Sequence, residues 1–356
     1  MSRRTGKVTI EDIAIAAGVS KTTVSRYING KYNLMREDTR RRIETAIRLS
    51  DYQPSAIARS LKTQRSLFVG VVVADITSPF SSMLISGIGN YLDAHGYIPV
   101  FVNSSDSPEK EANYIRTLLT HQVDGLIVNT TSHDNPYLIQ LANSGLPVVL
   151  LDRRIDNFNF DLVTGNYHAP MEELVHHLHD QGFDRAVLFT EDYTNNSVRK
   201  DRLDGFCSAD RACFGRANPM DDVITLRIGD ARHVRDEVRR VVEETPEGQV
   251  TGLVSSNSVT LVNLVYATST LGLSIPKQVG ICGPDDWDWS RSMAWDWSEI
   301  IGMGITTYKV HPYRMGVEAS ELLMKRIGDP GGARRTIEVP CELTVRRSTL
   351  LDGGRT

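Results

Sequence analysis

Residues 8–30 read VTIEDIAIAAGVSKTTVSRYING, and the architecture of the N-terminal region follows from them. Thr9 is placed to cap a first helix, with Asp12 three residues on in a near-match to a capping box. Ile10, Ile13, Ala14 and Ala17 recur at helical spacing and form one apolar face. Gly18 supplies the left-handed residue at which that helix stops. Ser20 caps a second helix over residues 21–28, with Val24 and Ile28 on its inner side, and Asn29-Gly30 ends it. Two short helices across a tight turn containing glycine make a helix-turn-helix. The second helix opens with small, polar and basic side chains: Ser20, Lys21, Thr22, Thr23, Ser25 and Arg26. These suit base edges and phosphates in a major groove. An ordinary helical hairpin with a solvated polar face shows the same local pattern, so the rest of the chain has to decide.

Charge decides in favour of a polyanion partner. Residues 1–65 hold 14 lysines and arginines against 6 acids, although the 356-residue chain carries a net −4. A basic head on an acidic body fits a nucleic-acid-binding module joined to something else. The four cysteines (Cys207, Cys213, Cys282, Cys341) have no CxxC spacing, which points to buried thiols in a reducing compartment. No apolar run approaches the ~18 residues of a membrane span. The basic start MSRRTGK has no apolar core behind it, so it is not a signal peptide. The expected location is cytoplasmic, without a membrane partner.

A third helix is expected over residues 37–50, with Ile43, Ala46, Ile47 and Leu49 as its buried stripe and Arg40, Arg41, Arg42 and Arg48 outside. The stretch YQPSAIARSLKTQRS (residues 52–66) has Pro54 at the first turn of a short helix. Such a helix is marginal alone in water. It carries Arg59, Lys62 and an exposed-looking Leu61. It is either a linker or a basic helix that orders on DNA with an apolar wedge in the minor groove.

From Leu67 onward apolar runs such as LFVGVVVAD, IPVFVNS, DGLIVNT and LPVVLLDRR alternate with helical stretches, and a second such series starts near Asn166. Continuous apolar runs mark strands buried on both faces, and the βαβα order implies parallel sheets. Ligands sit at the carboxyl ends of such strands. Those ends carry Asp75–Phe80, Asn129, Asp152-Arg153-Arg154, Glu191–Asn196, Asn257 and Asp285–Trp289. Asp and Asn suit vicinal hydroxyls, Arg suits a carboxylate fork, and Phe or Trp suits the apolar face of a sugar.

The head motif, the stretch YQPSAIARSLKTQRS and VGVVVADITSPF together resemble the LacI/GalR family of bacterial repressors, from about Val8 to about Arg347. The resemblance implies an all-α helix-turn-helix head with a hinge helix, joined to a two-lobed α/β domain with parallel sheets like that of periplasmic sugar-binding proteins. It implies that Lys21 and Thr22 read bases, that Arg26 meets bases or backbone, that Ser20, Thr23 and Asn29 hold phosphates, and that Leu61 inserts at the operator centre. Thr9, Ser25, Arg59 and Lys62 complete the expected DNA face. Met35-Arg36 departs from the Val-Ser usual in the family at the start of the third helix.

In the cleft, Arg202 matches the family's principal effector arginine. Asp152, Asn257 and Asp285 match effector-contacting positions, and Ser78, Phe80, Asn129 and Trp287 join them. Arg153 adds cationic density to Arg202 and so favours an anionic ligand, unless the arginines pair with Asp152 or Asp285. DDWDW with GLIVNT and LLDR resembles the branch sensing gluconate-type and ketogluconate-type sugar acids.

The resulting expectation is a helix-turn-helix domain over residues 1–51 and a hinge over 52–66. An effector-binding and dimerisation domain spans 67–345, and 346–356 form a tail. Lobe one takes 67–164 and 303–327, and lobe two takes 166–287 and 337–345. Lobe crossings are expected near 163–166, 288–302 and 328–336. The expected function is a homodimeric repressor of sugar-acid catabolic genes. It binds a pseudo-palindromic double-stranded operator and is released by a small-molecule effector, with no catalytic residue, metal or cofactor. The alternatives are a neutral-sugar or corepressor-responsive regulator, a cytoplasmic sugar-binding protein, or a sugar-acid enzyme. His176, His177 and His179 read as a surface helix in preference to a metal site.

Overall fold

The computed structural model describes residues 8–28, 30–50, 52, 65–284, 302 and 304–351. Asn29, the expected hinge residues Arg59, Leu61 and Lys62, and the expected cleft residues Asp285 and Trp287 lie outside these. The chain divides into two units, residues 1–67 and 68–356.

The head contains α1 (Ile10–Ala17), α2 (Lys21–Ile28) and α3 (Glu37–Ser50). Thr9 and Asp12 form the complete capping box, and Gly18 closes α1 at φ 61°. Ile13, Ala14, Ala17, Val24, Ile43 and Ala46 are buried against each other. Leu49 departs from expectation: it is 80% exposed. At 3.6 residues per turn, a position six beyond Ile43 lies about 120° off the stripe, while Ile47 packs against the core as expected.

The second unit carries two six-stranded sheets. The first holds β1 (Phe68–Val73), β2 (Ile98–Asn103), β3 (Gly125–Val128), β4 (Val148–Leu151), β5 (Asp161–Gly165) and β11 (Thr336–Val339), in the order β11-β5-β4-β3-β1-β2. All its pairings are parallel. The second holds β6 (Arg185–Thr190), β7 (Val223–Thr225), β8 (Thr251–Ser255), β9 (Val279–Pro284), β10 (Thr306–Lys309) and β12 (Glu342–Thr344), in the order β12-β10-β9-β8-β6-β7. Only its β10–β12 pairing is antiparallel. Strands β3, β4, β8 and β9 are buried throughout, as continuous apolar runs require.

Helices α4 (Pro79–Ala94), α5 (Pro108–Thr120), α6 (Pro136–Asn143) and α11 (Pro312–Gly328) accompany the first sheet. Helices α7 (His168–Asp180), α8 (Ser197–Phe214), α9 (Ala231–Glu244) and α10 (Ser258–Thr270) accompany the second. Helices α4 and α11 meet through glycines. A Cβ on Gly87 would lie 2.1 Å from the Tyr313 carbonyl oxygen, and one on Gly316 would lie 2.4 Å from that of Leu84.

Two lobe boundaries differ from the sequence reading. Residues 306–309 do not belong to the first lobe, because Thr306 pairs with Cys282 of β9 in the second sheet. Residues 337–339 do not belong to the second lobe, because Ile337 pairs with Val163 of β5 in the first. The chain therefore crosses after β5, between β10 and α11, and around Pro340, not at 328–336; β9 and β10 share the second sheet, and the crossing expected near 288–302 falls almost wholly outside the described residues. The sheet each strand joins hides from a hydrophobicity reading. The buried threonines of β10 are satisfied by polar partners: Thr306 N–H donates to Ser348 Oγ at 2.8 Å and Thr307 Oγ1 accepts from Arg346 at 2.8 Å. Strand β11 is a half-exposed edge, and Pro340, which cannot donate to a ladder, separates it from β12.

Buried Arg326 of α11 fastens the return to β11. It donates to both carboxylate oxygens of Asp161, at 2.7 and 3.0 Å, and to the carbonyls of Gly332 and Ala333. Asp161 is wholly buried. Removing one partner of a buried pair leaves the other charge uncompensated. Asp161→Ala is therefore expected to lower stability to urea unfolding by about 3–5 kcal/mol; a loss below about 1 kcal/mol would contradict this role.

Candidate functional site

In the head, the side chains singled out on α2 divide into two groups. Ser20 Oγ accepts from Thr23 N–H at 3.2 Å and lies 2.9 Å from Thr23 Oγ1. That leaves the first turn of α2 satisfied locally. Thr9 is occupied with Asp12 in the capping box. Lys21, Thr22 and Arg26 are exposed, and Ser25 is half-buried. Lys21 Nζ stands 2.8 Å from Glu11 Oε2, an exposed pair linking the starts of α1 and α2. An exposed pair of this kind is worth at most about 1 kcal/mol, so it leaves Lys21 available to a better partner.

In the second unit the strand order reverses between β1 and β3 and again between β6 and β8. Such reversals open a crevice outside the carboxyl ends of the strands. The two crevices meet in one cavity of about 340 Å3. Ser78, Phe80, Asn129, Asp152, Arg153, Arg202 and Asn257 all line it, together with Asp75, Asp106, Glu191, Asn196 and Arg199. Asp106 and Arg199 were not expected. Arg199 carried a readable signal, since it precedes Arg202 by three residues and so shares its helix face; the Asp106 loop carried none.

Asp152 follows β4 in the left-handed region, at φ 69°. Its N–H donates to Val163 O at 2.7 Å and its carbonyl accepts from Thr164 Oγ1 at 2.8 Å. Its carboxylate accepts a short bond from the Tyr167 hydroxyl. Burial, and then the Asp152 charge, push the Tyr167 hydroxyl well above its ordinary pKa, so it remains a donor. The Arg202 guanidinium lies 4.7 Å from the Tyr167 ring centroid and 5.9 Å from that of Tyr308. Its Nη1 donates to Ser256 O at 2.7 Å. Gly205, one turn on, lets α8 approach closely: a Cβ there would lie 2.4 Å from His168 O.

The arginines bring less surplus charge than expected. Arg153 pairs with Asp106 at 2.9 Å and donates to Thr130 O at 3.2 Å, so its charge is compensated by neither of the acids named from sequence. Arg199 donates to Glu191 Oε2 at 2.7 Å and to Asp192 O at 2.8 Å. Glu191 Oε1 accepts from Asn257 Nδ2 at 2.7 Å, while Asn257 Oδ1 caps α10 through Thr260 N–H. Asn129 links three strand ends: Oδ1 accepts from Ala74 N–H and Nδ2 donates to Leu151 O at 3.0 Å. Among the described residues the lining presents Arg153, Arg199 and Arg202 against Asp75, Asp106, Asp152 and Glu191.

Beside the cavity, Arg154 joins the lobes. Its N–H donates to Ser197 Oγ at 3.0 Å and its guanidinium holds both oxygens of Asp201 on α8, at 2.5 and 2.8 Å. Of the three histidines on α7, His176 meets Cys213, His177 meets Thr349 and His179 packs on Phe214. No helix among the described residues is long and apolar enough to cross a membrane.

Helix α8, which carries Arg199, Asp201 and Arg202, also holds Asp210. Its side chain is wholly buried, with no hydrogen-bond partner for either oxygen among the described residues. Burial first, and then the charge of Asp222, push its pKa up to about 7, against Arg216, Arg185 and Arg211. The unfolded chain keeps the ordinary lower value, so the folded state binds the extra proton and loses stability as pH rises towards about 7. Asp210→Asn is therefore expected to gain more thermal stability over the parent chain at pH 8 than at pH 5. Equal differences at the two pH values would contradict the assignment.

Comparison with known proteins agrees with both units. Residues 9–55 match the model of bacterial regulatory proteins of the lacI family, and residues 66–347 match that of periplasmic binding proteins and the sugar-binding domain of the LacI family. The HTH-type transcriptional regulator KdgR of Bacillus subtilis is 34% identical over 346 residues, 97% of this chain and 99% of its own. The HTH-type transcriptional regulator PtxS of Pseudomonas aeruginosa is 34% identical over 345 residues, 97% of this chain and 96% of its own. In fold, a Lac repressor dimer crystallised with operator and the anti-inducer ONPF superposes with a TM-score of 0.81. It shares 21% identity over 97% of this chain and 100% of that one.

Proposed function

This chain belongs to the LacI family of DNA-binding transcriptional regulators, not to a family of enzymes, and we propose that it represses sugar-acid catabolic genes and is released by a sugar acid of gluconate or ketogluconate type. The observation that carries the ligand class is the convergence of Arg153, Arg199 and Arg202 on one cavity whose other walls hold Asn129, Asp152 and Asn257. Guanidinium groups bind a carboxylate through paired hydrogen bonds, and the amides and carboxylates suit vicinal hydroxyls. Phe80 offers an apolar face, Ser78 a hydroxyl, and Asp285 and Trp287 belong to the same ligand set by resemblance.

In this reading Lys21 and Thr22 meet base edges and Arg26 a base or phosphate. Ser20, Thr23, Asn29, Thr9 and Ser25 face the backbone. Arg59, Lys62 and Leu61 act at the minor groove in the centre of a pseudo-palindrome bound by a homodimer. The effector works by binding the two lobe arrangements unequally; a difference of about 1.4 kcal/mol changes their ratio tenfold. The Arg154–Asp201 pair spans the two lobes and belongs to what such a rearrangement would have to strain or remake.

A neutral sugar is the second reading, favoured by the acids that outnumber the arginines in the cavity lining. A ligand bound only by the native state raises the melting temperature. A thermal-shift panel of gluconate, 2-ketogluconate, 5-ketogluconate, 2-keto-3-deoxygluconate and galactonate, each beside a neutral counterpart, separates the two readings. The sugar-acid reading requires a shift with at least one acid and none with its counterpart; shifts with neutral sugars alone would replace it.

Two substitutions test the division of labour. Lys21→Ala should change base preference at one position of each half-site, with a loss of about 1–3 kcal/mol on the preferred base. A uniform loss on every sequence, read by binding to a randomised duplex library, would reassign Lys21 to phosphate. Arg202→Ala should abolish the effector response in an operator-release assay while the protein still binds operator. A normal response would displace Arg202 from the site.

A further inference from the structure

Arg199 and Glu191 form a pair on the cavity wall that no expectation had assigned. The three cavity arginines are held in different ways. Arg202 lies buried against Tyr167 and Tyr308 and is tied to a backbone carbonyl. Arg153 is engaged by Asp106 and the Thr130 carbonyl. Arg199 is mostly buried, burial lowers its pKa, and its side-chain partner is Glu191. Glu191 in turn has both oxygens occupied from the cavity wall, one by Arg199 and one by Asn257, each at 2.7 Å. A carboxylate gripped by a guanidinium and an amide inside a polar cavity is the arrangement a bound sugar acid would itself require. Burying an arginine there without a counter-charge is costly, so the protein supplies one of its own.

Resting on the sugar-acid reading above, we infer that Arg199 selects for the effector's carboxylate and that Glu191 occupies that carboxylate's seat until the effector arrives. The incoming carboxylate takes over hydrogen bonds from Arg199 and Asn257, and Glu191 turns towards the open cavity. One anion replaces another against the same guanidinium, so Arg199 keeps a counter-charge, and the displaced Glu191 carboxylate has to be carried by water on the open side of the cavity. A neutral sugar has no anion to offer Arg199 and leaves the pair intact. Selectivity thus comes from competition at one arginine and not from a net positive field, in keeping with a cavity whose described arginines all have acceptors.

The two members of the pair predict opposite effects, which separates this role from general damage to the fold. The probe is whichever of the five acids the parent chain binds tightest by titration calorimetry, measured beside the alcohol in which CH2OH replaces the carboxylate, such as fructose for 2-ketogluconate. Arg199→Gln should weaken the acid at least about tenfold, the usual scale for a charge-assisted hydrogen bond. Glu191→Gln should tighten it by several-fold, a gain that misfolding does not produce. The ratio of acid to alcohol affinity should fall in the first variant and rise in the second. If the parent binds an acid and neither variant alters that ratio, or if Glu191→Gln weakens the acid as Arg199→Gln does, the inference is overturned. If the parent binds none of the acids, the sugar-acid reading fails first and takes the inference with it.

Discussion

A charged side chain taken out of water has to meet its counter-charge within the fold, and the second unit of this protein is arranged around that requirement. Asp161 lies at the base of β5 with Arg326 across both its oxygens, and the return from α11 to β11 is fastened there. At the cavity, Arg153 comes with Asp106, Arg199 with Glu191, and Arg154 with Asp201 across the lobes. Asp210 is one exception: it finds no hydrogen-bond partner among the described residues, and burial first raises its pKa to about 7. The parallel sheets place these groups, because their strand ends aim loops from both lobes at one space. The charges then determine which ligand can enter without leaving a partner stranded.

The same requirement explains why a site with three arginines has no surplus of positive charge. Cationic residues adjacent in sequence look like an attractive field. In the folded cavity Arg153 and Arg199 each face a carboxylate and Arg202 donates to a backbone carbonyl, so in the proposed reading recognition is an exchange of partners. Under that proposal the arrangement is more selective than a field, since the ligand has to supply a carboxylate where Glu191 already sits. Arg199 and Asp201 share α8, and Asp201 is held by Arg154 of the other lobe, so one helix carries both the proposed ligand contact and a bond between lobes.

The head was legible nearly residue by residue, because its signals are local: Thr9 with Asp12, Gly18 at a positive φ, and apolar residues at helical spacing. Leu49 was misread because a count of apolar residues ignored its angle around α3. The parallel strands were legible wherever both faces were apolar. Strand β10 was not, since buried threonines with polar partners carry no hydrophobic signature, and the half-exposed edge β11 was legible as a strand but not as a member of the first sheet. Arg202, which lines the cavity, was reached through the family resemblance and not from spacing. The pairing of Arg153 with Asp106, or of Glu191 with Arg199 and Asn257, joins residues that only the tertiary fold brings within 3 Å, and spacing along the chain does not encode it.

The most direct test is the affinity of the intact chain for its DNA site, with and without a sugar acid. A duplex selected from a random library can be titrated by fluorescence anisotropy at fixed salt, because phosphate contacts make any single value salt-dependent. One gluconate-type or ketogluconate-type acid is expected to weaken operator binding at least about tenfold, the scale of a modest coupling energy between sites. The matching alcohol should leave it in place. Operator affinity that is indifferent to every acid, or that responds equally to acid and alcohol, would contradict the sugar-acid reading.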